Sequence, residues 1–204
     1  PLETLLRAGI REVCLVIAPQ HAGNFLSYLG SGREYHAKFT YEIQDEPLGL
    51  AHGLALAETF AEEEPLAFVL GDNIFEDDLS AVIRAFDGQG AWIFVKEVSD
   101  ARRFGVVEFD DAGNVLSIEE KPAVPKSPYV QTGLYLYDRT VFDKIRTLKP
   151  SARGELEITD LQTLYLAEGN LTARIVEGRW FDTGTFDALL EASVFVAEKR
   201  KKVR

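Results

Sequence analysis

The chain has 204 residues, which suits one α/β domain with a sizeable core, or at most two small ones. Hydrophobic residues make up 46% and charged residues 27%; no apolar run is long enough to span a bilayer and no signal peptide is evident, so a soluble cytoplasmic protein with no membrane partner is expected. The formal net charge of −11 argues against DNA or RNA as a partner and leaves small anionic substrates, provided that local cations offset their charge.

In chain order, Leu2–Ala8 reads as the end of a helix stopped by Gly9. Glu12–Ala18 is a strand whose apolar run suits a parallel sheet buried on both faces. The lone cysteine, Cys14, stands in that run; it makes no internal disulfide and is expected in the core. A helix over His21–Leu29, a strand over Lys38–Gln44, a helix over Leu50–Glu62 and a strand over Leu66–Leu70 follow, then a helix over Leu79–Phe86 and a strand over Ala91–Val98. This alternation predicts a parallel sheet covered by helices.

Beyond residue 100 the pattern changes. Gly105–Phe109 and Val115–Glu120 flank Asp110-Asp111-Ala112-Gly113-Asn114, a hairpin signal. A strand over Tyr129–Tyr137, helices over Val141–Leu148 and Ile158–Glu168, a strand over Leu171–Val176 and a helix from Phe186 to about Lys199 complete the chain. The expected fold is a single doubly wound, mostly parallel α/β domain with an antiparallel insertion, Rossmann-like in its layering. The basic stretch Lys199, Arg200, Lys201, Lys202 and Arg204 reads as a solvated helix end favoured by the helix dipole.

In open sheets of this kind ligands bind beyond the carboxyl ends of the strands, so residues at strand ends are the candidates. Asp72 follows Ala67-Phe68-Val69-Leu70-Gly71 and is either a hard oxygen ligand for Mg²⁺ or the cap of a turn. Asp182, in Trp180-Phe181-Asp182-Thr183-Gly184-Thr185, is either a second metal ligand or an N-cap. Glu119-Glu120-Lys121-Pro122 could accept bonds from sugar hydroxyls and neutralise a phosphate, or be a solvated strand end; Pro122 predicts an extended Lys121. Gln44 could read a base edge, with Gly49 letting a flat ring approach, or the segment is a plain turn. Arg153 suits phosphate oxygens or is a surface charge. His21, His36 and His52 lack metal-ligand spacing, and no Gly-x-Ser-x-Gly elbow, P-loop or dinucleotide fingerprint occurs.

The order of these motifs is more specific than any one of them. Gln44…Pro47-Leu48-Gly49-Leu50-Ala51, Gly71-Asp72-Asn73, Phe104-Gly105-Val106-Val107-Glu108-Phe109, Glu119-Glu120-Lys121-Pro122, Thr132-Gly133-Leu134-Tyr135, Arg153-Gly154-Glu155-Leu156-Glu157-Ile158-Thr159-Asp160 and Asp182-Thr183-Gly184-Thr185 together resemble the glucose-1-phosphate thymidylyltransferases over nearly the whole chain. The resemblance implies the nucleotide-diphospho-sugar transferase fold, Mg²⁺ held by Asp72 and Asp182, and dTTP and glucose 1-phosphate as substrates in a homo-oligomer. It implies nucleotide contacts at Gln44, Gly49 and Leu50, sugar contacts at Asn73, Gly105 and Glu120, and sugar-phosphate contacts at Lys121 and Arg153. The sugar-phosphate oxygen would attack the α-phosphorus directly, so no covalent nucleophile or His base is required.

The chain departs from the family pattern in three places. A Gly-rich loop with Arg and Lys would precede the helix at Leu2–Leu6, so the first strand-loop-helix unit is expected to be missing and the 204 residues nearly inactive alone. Phe104 stands where an aromatic hydroxyl is common, and Gln131 where a small apolar residue is common. The chain also stops soon after its last helix. The alternatives are a uridylyltransferase or related sugar-1-phosphate nucleotidyltransferase and, in another class, a non-catalytic nucleotide-sugar binding or regulatory module.

Overall fold

The computed structural model describes residues 1–202. Helix α1 (Leu2–Arg7) leads into strand β1 (Glu12–Ile17), helix α2 (Ala22–Leu29) and strand β2 (Lys38–Ile43). β1 and β2 are parallel, from Glu12 opposite Lys38 to Ile17 opposite Ile43. Side chains alternate across β1, so Val13 and Ile17 are buried while Cys14, on the other face, is only half-buried. That corrects the expectation of a core cysteine.

The single helix expected over residues 50–62 is two, α3 (Leu50–Ala55) and α4 (Glu58–Ala61). Ala57 N–H bonds Leu54 O at 3.0 Å, an i−3 link that tightens the turn between them. The re-aimed α4 then buries Ala61 in the main core.

β3 (Leu66–Val69), β4 (Asn73–Phe75), α5 (Ser80–Arg84) and β5 (Ala91–Glu97) follow, then the hairpin β6 (Gly105–Phe109) and β7 (Val115–Glu120). The hairpin turn is built on Asp110, whose Oδ1 accepts the N–H groups of Ala112 and Asn114 at 2.9 and 2.8 Å. β8 (Tyr129–Tyr137), α6 (Val141–Ile145), α7 (Ile158–Ala167), β9 (Leu171–Ile175), β10 (Trp180–Asp182) and α8 (Phe186–Lys202) complete the order.

The main sheet runs β7-β6-β8-β5-β9, with β3 also paired to β8. β5 and β9 are parallel, and β3 and β5 both run against β8, so these three strands share one direction. β8 enters between β3 and β5 against that direction and makes the sheet mixed. Its burial is continuous from Val130 to Tyr137, as expected of a central strand.

Both faces are covered. On one, Ile93, Val95, Tyr135 and Tyr137 pack against Leu161 and Tyr165, the three tyrosine rings lying in sequence at centroid separations of 6.1 and 5.8 Å. On the other, Phe94, Leu134 and Leu136 meet Ala8, Leu79, Ile83 and Val176. The two-residue period of β5 and β8 thus feeds two cores, which is the doubly wound arrangement. Lys199, Arg200 and Lys201 at the basic end of α8 are exposed as expected, while the side chain of Lys202 and Arg204 lie outside the described residues; Lys199 also ties the helix to the residue after β4 by donating to the carbonyl of Glu76 at 2.6 Å. Among the described residues, no helix is long and apolar enough to cross a membrane.

Candidate active site

The site begins with a bulge in β8. Ile93 pairs with Tyr135 and Val95 with Gln131, so Thr132, Gly133 and Leu134 together stand opposite Phe94. The Thr132 hydroxyl holds the bulge by donating to Phe94 O at 2.9 Å, and Gly133 O accepts Leu70 N–H at 2.9 Å. Gly133 has φ +70°, and a Cβ there would lie 2.7 Å from Leu70 Cδ1 and 3.1 Å from Asn73 Cγ, so only glycine fits. At the bulge β8 passes from β3 to β6, and the sheet opens a cleft of about 230 Å³. Eight of the sequence-derived candidates line it: Leu50, Asp72, Asn73, Gly105, Glu120, Lys121, Arg153 and Asp182.

Asp72 and Asp182 are brought together by β4 and β10, two three-residue strands that pair antiparallel with Asn73 opposite Asp182. Thr183 seals the junction by donating its N–H to Asp72 O at 2.9 Å. The carboxylates converge above Gly184, where a Cβ would sit 3.3 Å from Asp182 Oδ1 and 3.8 Å from Asp72 Oδ2. Asn73 donates to Asp72 Oδ1 at 2.7 Å and accepts the Trp180 indole N–H at 2.6 Å, which fixes the orientation of the first carboxylate. Neither carboxylate is in an ion pair among the described residues. Two convergent, unneutralised carboxylates with room between them fit a hard divalent cation whose remaining ligands are phosphate oxygens and water. No group of three or more His, Cys, Asp or Glu that could hold a metal ion converges among the described residues.

The opposite wall carries the cations. Gly105 pairs with Glu120 across β6 and β7, and a Cβ on Gly105 would lie 3.3 Å from Glu120 Oε2. Lys121 Nζ is 3.4 Å from Glu120 Oε1. Its backbone is not extended, as Pro122 predicted, but has φ +45°; the Lys121 N–H bond to Phe104 O at 3.0 Å holds this sparsely populated conformation. Arg153 is gripped by Glu157, with Nη2 at 2.9 and 2.8 Å from its two oxygens, and lies 3.7 Å from Glu120 and 3.4 Å from Glu155. Hydrogen bonding to Glu157 raises its already high pKa, so it stays cationic. Glu157 is itself buried and also accepts the Ser151 hydroxyl at 2.7 Å.

Gln44 and Gly49 lie outside the lining of this cleft. They sit together at the mouth of β2, where Gln44 Nε2 contacts Gly49 O at 3.2 Å and His52 Nδ1 at 3.0 Å. Gly49 has a structural duty of its own. Its φ is +103°, and a Cβ would fall 2.4 Å from Leu156 O, because the 48–51 segment is laced to Leu156 by backbone bonds of 2.8 and 3.1 Å. Leu50, half-exposed, reaches from this segment into the cleft.

The structure adds residues that stand in the motifs but have no contact role there. Phe104 and Trp180 meet edge to face at 5.4 Å on the rim. Tyr135 lines the floor, where burial first and then the charges of Glu120 and Asp72 push its hydroxyl pKa up, so it stays protonated. The Thr159 hydroxyl is buried with no hydrogen-bond partner among the described residues, and its methyl carbon lies 2.9 Å from where a Gly105 Cβ would be. An aromatic in an alternating strand reads as core from sequence, which gives Tyr135, though part of the Thr132–Tyr135 motif, no place in the site. A larger hollow, about 650 Å³ between α1, β4 and α8, contains none of the candidates. The smaller cleft is the better site because chemistry converges there.

Comparison with known proteins agrees with this geometry. The family model described as Nucleotidyl transferase matches residues 1–199. The glucose-1-phosphate thymidylyltransferase of Mycolicibacterium smegmatis is 44% identical over 200 residues, covering 96% of this chain and 69% of the relative. That of Neisseria gonorrhoeae is 43% identical over 202 residues, covering 96% and 70%. A crystal structure from Bacillus anthracis, described as a glucose-1-phosphate thymidylyltransferase in complex with sucrose, superposes with a TM-score of 0.90 at 41% identity, covering 95% of this chain and 79% of that one. A UDP-glucose pyrophosphorylase shares the fold at a TM-score of 0.82 and 21% identity, covering 97% and 85%. With its mixed, doubly wound sheet and a family match along almost its entire length, the chain belongs to the glucose-1-phosphate thymidylyltransferases of the nucleotidyl transferase family.

Proposed function

We propose that the protein joins dTTP to glucose 1-phosphate, giving dTDP-glucose and pyrophosphate, in the cleft between Asp72, Asp182, Lys121 and Arg153. Membership of the thymidylyltransferases supports the reaction and implies that it depends on a divalent metal. The single observation that carries the assignment of this cleft is the convergence of Asp72 and Asp182 opposite Lys121 and Arg153. Anionic substrates in a chain of net charge −11 need local positive charge, which Lys121 and Arg153 bring to this cleft.

Asp72 and Asp182 would hold a Mg²⁺ ion, which when bound offsets charge on the α-phosphate of the nucleotide. Glu120, Asn73 and the main chain at Gly105 orient the hexose. Lys121 and the outward edge of Arg153 take the sugar phosphate, while Glu157 keeps the guanidinium aimed. Gln44, Gly49 and Leu50 accept the base at the mouth of β2. A phosphate oxygen of the sugar attacks the α-phosphorus; the new P–O bond forms as the bond to the β-phosphate oxygen breaks, and pyrophosphate carries away the electron pair. The nucleophile is already an anion, so no proton need be removed, and catalysis is positioning with charge neutralisation.

Pyrophosphate release by the full-length protein tests this, with glucose 1-phosphate and Mg²⁺, comparing dTTP with UTP. Release that prefers dTTP and collapses in Asp72→Asn is the expected result. Equal rates with UTP would reassign the nucleotide, since one methyl group is worth only about 1–3 kcal/mol. No release with any nucleotide from intact, folded protein would overturn the reading in favour of a binding module.

A further inference from the structure

We infer that Gln131 is a specificity-determining residue, presenting a fixed hydrogen-bond acceptor to one hydroxyl of the hexose. The inference rests on the nucleotidyltransferase reading above and goes beyond the contacts assigned there. Gln131 is 6% exposed, lies on β8 next to the bulge and lines the cleft. Its Nε2 donates to Oε1 of Gln162, and Gln162 Nε2 donates in turn to the Tyr137 hydroxyl at 3.3 Å. Gln162 and Tyr137 are both wholly buried.

A polar relay thus runs from the main core up to the cleft floor. Such a chain costs desolvation at every member, and an apolar core would avoid it. What it achieves here is orientation. One N–H of the Gln131 amide is taken by Gln162, while its carbonyl oxygen accepts no hydrogen bond among the described residues and is not sealed from solvent in the cleft that the residue lines. The position above Gly105 is flanked by both groups: a Cβ there would be 3.2 Å from Gln131 Cδ and 3.3 Å from Glu120 Oε2. Two acceptors on either side of one small space match a ligand that brings two donors, which the adjacent hydroxyls of a hexose supply. A sugar lacking one of those hydroxyls leaves the Gln131 oxygen desolvated and unpaired.

The test is calorimetric binding of dTDP-glucose and its 2-, 3-, 4- and 6-deoxy analogues to the full-length protein with Mg²⁺. Wild type, Gln131→Leu and Gln162→Leu are compared, with folding checked by a cooperative thermal melt. Wild type is expected to bind one deoxy analogue about tenfold more weakly than dTDP-glucose. Gln131→Leu should shrink that gap below about threefold by weakening dTDP-glucose itself. Gln162→Leu should narrow it partly although it touches no ligand, and it serves alone if Gln131→Leu does not fold. Equal binding of all analogues by wild type, or a gap that persists in the folded variants, overturns the inference. Failure of dTDP-glucose to bind folded wild type instead sinks the parent reading, so the two failures are distinct.

Discussion

Thr183 holds Asp72 by its main-chain carbonyl, through its N–H at 2.9 Å and its hydroxyl at 2.7 Å, across 111 residues of sequence. The bond acts on the backbone and leaves the Asp72 carboxylate free to face Asp182. Thr183→Val removes the hydroxyl contact and keeps the shape. With Asp72 in its proposed metal role, the expected outcome is a rise of about 10–100-fold in the Mg²⁺ concentration for half-maximal pyrophosphate release, the usual effect of losing a group that orients a metal ligand. The thermal midpoint should change little, because the bond is solvent-exposed. Asp72→Asn should instead lower turnover by about 10²-fold or more at saturating metal. A Thr183→Val enzyme with an unchanged metal requirement would show that the junction does not tune the site.

Arg153 is bidentate to Glu157, a geometry that a lysine ammonium does not reproduce. Arg153→Lys should raise the KM for glucose 1-phosphate about tenfold or more while leaving the KM for dTTP near wild type. Initial-rate kinetics with each substrate varied in turn checks this split. Equal changes in both constants would mean that the guanidinium serves the triphosphate or the fold and not the sugar phosphate.

Gly49→Ala tests the structural duty of the 48–51 segment. The new methyl would meet Leu156 O at 2.4 Å in a backbone at φ +103°. Strain of this kind destabilises by about 1–3 kcal/mol, several degrees of melting temperature. Differential scanning calorimetry without ligand measures it, and an unshifted midpoint would show that the loop yields freely.

Cys14 gives a chemical prediction. Burial, reinforced by Glu42, pushes its thiol up to about 11 from an ordinary 9. The folded state therefore holds the proton more tightly than the unfolded state. Stability from this group is complete below pH 9 and is lost as the pH rises toward 11. At pH 8, alkylation by iodoacetamide should be about tenfold or more slower in native protein than in denaturant, because the thiolate is the reacting form and its greater nucleophilicity offsets only part of its scarcity. Comparable rates would place the thiol in a wetter setting.

Much of this was legible in the residues. Apolar runs with Gly and Pro punctuation located β1, β2, β3, β5, β8 and β9, and the hairpin signal at Asp110–Asn114 located β6 and β7. Eight of the ten candidates share one cleft because they sit at strand ends and in connecting loops, where an α/β sheet exposes side chains. The break between α3 and α4 was hidden, since an alanine-rich stretch carries no stop signal. The φ of Lys121 was misjudged because a tertiary bond from its N–H to Phe104 O outweighs the local preference before proline.

By itself, the sequence determined the alternation of strands and helices, the two-faced sheet and the set of polar residues available for chemistry, because these follow from side-chain period and local backbone limits. Only the tertiary structure decided which of those residues meet. β4 and β10 are too short to show a period, and their pairing, which sets Asp72 beside Asp182, joins segments more than 100 residues apart. The burial of Gln131 against Gln162, and of Glu157 against Arg153, has the same origin: long-range packing places partners that no local pattern in the chain records.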